Sequence, residues 1–245
     1  MAFMIYSARC AETAGNLAAL LGISSGTALE NRTDLLIRWG SSRRVRFRPE
    51  RVLNARDSIR MATDKYRSCR ALCMAGVPTV EVSTDASVAA EWLESGVVFG
   101  RRNNHMAGRD IVILYQPDDL DYVNCDYYSR YVKCCEEYRV HVFRGEVLLC
   151  SRKRGRGLPN SFAVRDYENG WIFRSVADPR PDVVEVAVDA VDALGLDFGG
   201  VDVGVDLEDS PVVFEVNTAP GLSGNSLARY VEAFRGVVDG EEVGL

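Results

Sequence analysis

The chain has 245 residues, of which 47% are hydrophobic and 26% charged, and it carries a net charge of −6. This is globular composition; it excludes disordered, collagen-like and low-complexity chains, and no stretch reaches the roughly 18 apolar residues of a membrane span. The opening residues lack a basic region followed by an apolar run, so no secretory signal is expected and a cytoplasmic location is.

Phe3–Ser7 reads as a short strand and Ala11–Leu21 as a helix ended by Gly22. Asp34–Trp39 reads as a strand. The arginine-rich stretch from Arg43 to Arg51 that follows could line an acceptor site, and is read as surface. Asp57–Ala75 has helical spacing through Ile59, Met61, Tyr66, Leu72 and Met74, with Gly76 as the stop. Short strands are expected near Thr79–Ser83, Val97–Gly100, Ile111–Leu114 and Tyr128–Lys133, with a helix at Ala86–Glu94. Tyr138–Phe143 alternates, with Arg139, His141 and Phe143 on one face. Gly145 turns the chain into Val147–Arg152, and the charge run Arg152–Arg156 reads as a solvated loop or a phosphate contact rather than a nucleic-acid site. Val183–Leu194 is an amphipathic helix closed by Gly195; Val201–Asp206 and Val212–Asn217 form a hairpin. Strand-rich stretches separated by single helices predict an α+β chain of several lobes.

Seven cysteines without a C-x-x-C pair and only two histidines argue against a structural zinc site, and the thiols are read as reduced. Residues 158–245 hold five basic and seventeen acidic side chains, so a basic part precedes an acidic one. That asymmetry suits an anionic ligand held beside a metal ion, and equally a dipolar surface. No G-x-S-x-G elbow, no G-x-x-x-x-G-K-[ST] loop and no G-x-G-x-x-G after a strand is present, which disfavours serine hydrolases, P-loop ATPases and dinucleotide-binding folds.

The hairpin carries the strongest chemical signal. If Asp206 pairs with Pro211, Asp202 lies opposite Glu215, with Asn217 next along the same face and Val213 sharing it; Val212, Phe214 and Val216 point the other way. Opposed residues have Cβ atoms about 4.5–5.5 Å apart, and two carboxylates so placed repel unless a cation intervenes. Oxygen donors of this kind suit a hard cation such as Mg²⁺. A wet hairpin face would carry the same residues without any metal. The small-residue loop running on to Asn225, which offers backbone N–H groups to an anion, favours the functional reading.

The run E-V-N-T-A-P-G-L at Glu215–Leu222, with L-G-L-D-F-G-G-V-D at Leu194–Asp202 before it, resembles the metal-binding end of the ATP-grasp superfamily, in particular D-alanine–D-alanine ligases and ribosomal-protein glutamate ligases. The resemblance covers roughly residues 57–232. It implies an ATP-grasp fold in which two α+β lobes grip ATP beside a shortened N-terminal α/β lobe, divided as 1–56 (substrate side), 57–133 (first lobe) and 134–245 (second lobe with the metal site). It implies that Asp202, Glu215 and Asn217 hold two Mg²⁺ ions, with Mn²⁺ as a substitute. Lys65, opening the run Asp64–Pro78, would reach the ATP phosphates. Arg101 or Arg102 would replace a second phosphate lysine, and His105 would sit in the loop over the phosphates. Tyr131 and Val132, within Arg130–Lys133, would offer backbone groups to adenine. Glu137, with Glu136 as rival, would take the ribose hydroxyls. Arg139 and Lys153 would face the nucleotide or an acyl phosphate.

The function so implied is an ATP-dependent carboxylate–amine ligase that makes an amide or peptide bond through an acyl phosphate. Its partners would be a small-molecule, peptide or protein carboxylate and an amine, with no membrane and no nucleic acid. The alternatives are an ATP-grasp phosphotransferase acting on a hydroxyl, and a non-catalytic nucleotide- or nucleic-acid-binding protein.

Overall fold

The computed structural model describes residues 1–29, 31–103, 111–157 and 168–240. The first sheet is parallel. It comprises β1 (Ala2–Tyr6), β2 (Ser24–Gly26), β3 (Leu35–Trp39) and β4 (Arg51–Leu53), ordered β2-β1-β3-β4, with α1 (Ala11–Leu21) crossing from β1 to β2. Gly22 ends α1 with φ 67°, a left-handed conformation that glycine adopts without steric cost.

The single helix expected over 57–75 is two: α2 (Arg56–Thr63) and α3 (Lys65–Met74). The break is at Asp64, whose backbone is extended and whose carboxylate accepts the Arg67 N–H at 3.1 Å. A capping aspartate competes well with helix continuation, and here it makes Lys65 the first residue of α3. Ile59, Ala62 and Leu72 enter the core, whereas Met74, part of the apolar spacing, is exposed.

The second sheet is antiparallel: β5 (Val82–Ser83), β6 (Val98–Arg101), β7 (Val112–Leu114) and β8 (Tyr127–Arg130), ordered β5-β8-β6-β7, with α4 (Ala86–Leu93) against it. The third is also antiparallel: β9 (Cys134–Phe143), β10 (Glu146–Gly155), β11 (Trp171–Ser175), β12 (Phe198–Asp206) and β13 (Pro211–Asn217), ordered β11-β10-β9-β12-β13. The charge run after Arg152 is therefore partly strand. Arg152 pairs with Glu136, and Lys153, on the opposite face, with Glu137.

Each face of the third sheet has its own core. Tyr138, Val140, Val142, Val201, Val203 and Val205 pack against α5 (Pro181–Ala193) and against α2 and α3. Each fully buried aliphatic side chain there contributes about 1.5–3 kcal/mol relative to exposure. On the other face, Phe143 and Phe198 meet Trp39 from the first sheet and Tyr230 and Phe234 from α6 (Asn225–Asp239). Trp39 stacks on Phe198 at 5.4 Å, with Tyr230 edge-on at 5.5 Å. The α6 helix lies beyond the elements read from the sequence, although Leu227, Tyr230, Val231, Phe234, Val237 and Val238 stand at helical spacing.

The hairpin register holds where it matters and slips at the turn. Asp202 pairs with Glu215 and Gly200 with Asn217, but Val205, not Asp206, pairs with Pro211. A bulge between Asp202 and Val203 absorbs the extra residue. Consequently Val213 joins Val216 in the core, while Phe214 lines the cleft. Asp206 instead accepts the N–H groups of Glu208 (3.0 Å) and Ser210 (2.8 Å), which holds the turn.

Candidate active-site cleft

The uncovered half of the third sheet looks across at the other two sheets, and the space between them is a cleft of about 1770 Å³. Alternation puts Glu137 and Arg139 on that face of β9, and Lys153, Asp202 and Glu215 reach it from the neighbouring strands. The result is a row of alternating charge across the sheet.

Arg139 grips Asp202 with a two-pronged contact, Nε to Oδ1 at 2.7 Å and Nη2 to Oδ2 at 2.6 Å. Lys65, delivered by the start of α3, lies 3.0 Å from Glu215 Oε2, and the Asn217 amide donates to Glu215 Oε1 at 2.7 Å. Lys153 lies 2.9 Å from Glu137. Phe173 on β11 stacks its ring near both cations, 4.7 Å from the Arg139 guanidinium and 5.5 Å from the Lys153 ammonium. Phe214 leans over Gly204, where a Cβ would collide with its ring and with Cys134 Sγ.

These contacts set the electrostatics. The Lys65 ammonium holds the Glu215 carboxyl well below the usual carboxylate range, against the opposing effect of burial, with Asn217 and Arg139 adding to it. Burial alone would lower the Arg139 guanidinium, but Asp202 keeps it raised. Behind them His141 is pushed down to about 4, by burial first and then by Arg139, and its Nδ1 lies 3.3 Å from the Tyr230 hydroxyl. It is a packing histidine.

Of the residues singled out from the sequence, the structure brings Lys65, Arg101, Tyr131, Val132, Glu137, Arg139, Lys153, Asp202, Glu215 and Asn217 to this one cleft. Arg101, rather than Arg102, lines it; its Nε donates to Ser129 Oγ at 2.8 Å and its guanidinium lies over Phe99. Glu137 is on the cleft and its rival Glu136 is not: Glu136 is held by Arg152 and the Tyr138 hydroxyl. Tyr131 spends its N–H on the Val97 carbonyl (3.0 Å) and sets its ring 5.2 Å from Phe99. His105 lies outside the described residues. Phe173 and Phe214 line the cleft without having been singled out for it, since isolated aromatics carry no pattern of their own, and Arg43, read as surface, lines it too.

A divalent cation fits the far end of this row. Two carboxylates paired across strands, with a side-chain amide beside them, are the hard oxygen donors Mg²⁺ takes. Both already draw a positive side chain to within hydrogen-bonding distance, so the position favours positive charge. No group of three His, Cys, Asp or Glu side chains gathers anywhere among the described residues, this position included, where the third donor is the Asn217 amide.

No family model and no curated protein sequence matches the chain. Solved structures do match it along nearly its whole length. D-alanine–D-alanine ligase from Bacillus anthracis complexed with ATP is 18% identical, with a TM-score of 0.70 and 98% of each chain covered. D-cycloserine synthetase DcsG is 18% identical, with a TM-score of 0.69, covering 97% of this chain and 100% of that one. ATP-grasp ligase PsnB complexed with minimal precursor is 14% identical, with a TM-score of 0.68 and 97% of each chain covered. At these identities the likeness is one of fold, and it agrees with the resemblance carried by the hairpin: this α+β chain has the ATP-grasp fold.

Proposed function

We propose that the protein is an ATP-dependent carboxylate–amine ligase that works through an acyl phosphate and releases ADP and phosphate. The observation that carries this reading is the row Lys153–Glu137, Arg139–Asp202 and Glu215–Lys65 on one cleft wall of an ATP-grasp fold. The neighbours support the nucleotide assignment, since one is a complex with ATP and another a complex of PsnB with Mg and ADP. They support the ligase assignment through what they are: a D-alanine–D-alanine ligase and ATP-grasp ligases.

In this reading residues 1–56 form the substrate-side lobe, 57–133 the first grasp lobe and 134–245 the second. Tyr131 and Val132 border adenine, and Glu137 takes the ribose hydroxyls. Lys65 and Arg101 bind the phosphates, the first as a compact charge and the second as a planar fork. His105 belongs to the loop over them. Asp202, Glu215 and Asn217 hold Mg²⁺, which supplies charge neutralisation on the phosphate oxygens. Arg139 and Lys153 stabilise negative charge on the transferring phosphoryl group and then on the acyl phosphate.

A substrate carboxylate oxygen attacks the γ-phosphorus and ADP leaves. An amine then attacks the acyl carbon, phosphate leaves with the former carboxylate oxygen, and the nitrogen gives up a proton. No side chain becomes covalently bound; orientation and fixed charge supply the rate. None of the described cysteines is in a disulfide; a cytoplasmic location belongs to this reading.

The test is incubation with ATP, Mg²⁺ and pools of carboxylates and amines, followed by ADP release and mass spectrometry. ADP together with a new amide mass, both lost when either substrate is withheld, is the expected result. A phosphorylated hydroxyl product would identify a phosphotransferase, and no turnover with any pool a binding protein.

A further inference from the structure

The first sheet holds a second feature that the phosphate and metal residues leave unused. β1 and β3 are neighbours, and the chain leaves them in opposite directions, through α1 to β2 and through residues 40–50 to β4. In parallel sheets a crevice opens beyond the carboxyl ends of two such strands, and ligands bind there. Its walls here are Ser7 and Cys10 after β1 and the loop Gly40–Arg43 after β3, all lining the cleft. Gly40 has φ 65°, and a Cβ there would come within 2.8 Å of Ala219 Cβ, so the loop presses on the segment that follows Asn217.

Beneath this loop lies Arg38, only 4% exposed. Its Nη1 donates to the Ser41 carbonyl at 3.1 Å and the Arg43 carbonyl at 2.8 Å, and Arg56 Nε donates to the intervening Ser42 carbonyl at 2.9 Å. Three successive carbonyls thus turn toward guanidinium groups. In a trans peptide the N–H points away from the C=O, so the N–H groups of Ser42 and Arg44 turn away from those cations, while that of Arg43 reaches Ser41 Oγ. Among the described residues no carboxylate pairs with Arg38 or Arg43, and Arg38 Nε is buried without any hydrogen-bond partner. The Arg43 side chain donates to the Thr27 carbonyl, at 3.0 Å, and the Arg43 backbone N–H to Ser41 Oγ, at 3.5 Å. A guanidinium cannot shed its proton, and a buried charge facing only neutral dipoles lacks a counter-ion. Backbone N–H groups, a cationic fork and an uncompensated positive charge behind them make an anion site.

Resting on the ligase reading, we infer that the Gly40–Arg43 loop binds a carboxylate of the substrate other than the one that reacts, so that the ligase takes a dicarboxylate. The source is either a free dicarboxylic acid or an acidic peptide. A substrate bearing an ammonium group at this position is repelled by Arg38 and Arg43, whereas Arg56 is paired with Asp57 at 3.0 Å.

The test is isothermal titration with glutarate, its monoacid butyrate, and the N-acetylated, C-amidated dipeptide of two glutamates. It is run with and without Mg²⁺ and a non-hydrolysable ATP analogue, on the wild type, Arg43→Gln and Arg38→Met. Arg43 is exposed, so its variant folds even if the buried Arg38 variant does not, and circular dichroism checks both. We expect saturable binding of glutarate or the dipeptide, whichever source applies, at least about tenfold tighter than butyrate. Arg43→Gln weakens it about tenfold, the loss of one charge-assisted contact. Absence of saturable binding by either diacid, or equal affinity in the wild type and Arg43→Gln, overturns the subsite. Diacid binding that depends on Arg43, without ADP release from any carboxylate–amine pool, upholds the subsite and counts against the ligase reading alone.

Discussion

Glu215 and Asp202 are opposed across two strands, and each is neutralised by a side chain from another element, Lys65 and Arg139. Replacing Lys65 with methionine keeps the apolar stem and removes the charge. It should raise the dissociation constant for ATP about ten- to a hundredfold, the range expected for a lost charge-assisted hydrogen bond; an unchanged nucleotide titration would contradict the role of Lys65. His141 gives a second prediction. Its folded value, about 4, lies below the roughly 6.5 of an unfolded histidine. On acidification the unfolded chain takes up the proton first, so the contribution is full above about pH 6.5 and is lost as pH falls toward 4. Melting temperature should therefore drop less steeply between pH 7 and 4.5 in His141→Phe than in the wild type; parallel curves would contradict the buried neutral imidazole. At this scale the sequence was most legible where chemistry and period coincide. Asp202, Glu215 and Arg139 follow from strand alternation. Arg38 did not, because nothing in a strand of Leu-Leu-Ile-Arg-Trp reveals that its arginine lies under a loop without a counter-ion.

Among the elements, the break between α2 and α3 matters most to the cleft, because it places Lys65 at a helix start. Asp64→Ala removes the cap and should cost about 1 kcal/mol in urea unfolding, with a rise in KM for ATP as Lys65 loses its anchor. A stability loss with unchanged KM would show that the cap does not position Lys65. The apolar spacing of 57–75 hid this break, since Met61 and Met74 fit a helical period yet both face solvent. The bulge at Val203 was hidden for a related reason: alternation continues on either side of it, and only pairing shows that a residue has been inserted. The α6 helix was legible in principle from its apolar spacing, which lies just after the motif that drew the reading to the hairpin.

Over the whole molecule, two cores back the two faces of one sheet, and the part of it left uncovered toward the cleft is where the charged side chains stand. The division into a basic first part and an acidic second part becomes an arrangement in space. Lys65, Arg101 and Arg43 approach from the earlier elements, and Asp202 and Glu215 wait on the hairpin. The order of strands and the crevice between β1 and β3 are properties of pairing, which local sequence does not encode, so the motif disclosed the fold more readily than periodicity did. The most direct measurement is titration of a non-hydrolysable ATP analogue, with and without Mg²⁺, into the wild type and Glu215→Gln. Mg²⁺ should tighten binding to the wild type and leave the variant's affinity nearly unchanged, with both proteins giving the same circular dichroism spectrum. Equal tightening in the two proteins would contradict a metal site on the hairpin and with it the proposed ligase.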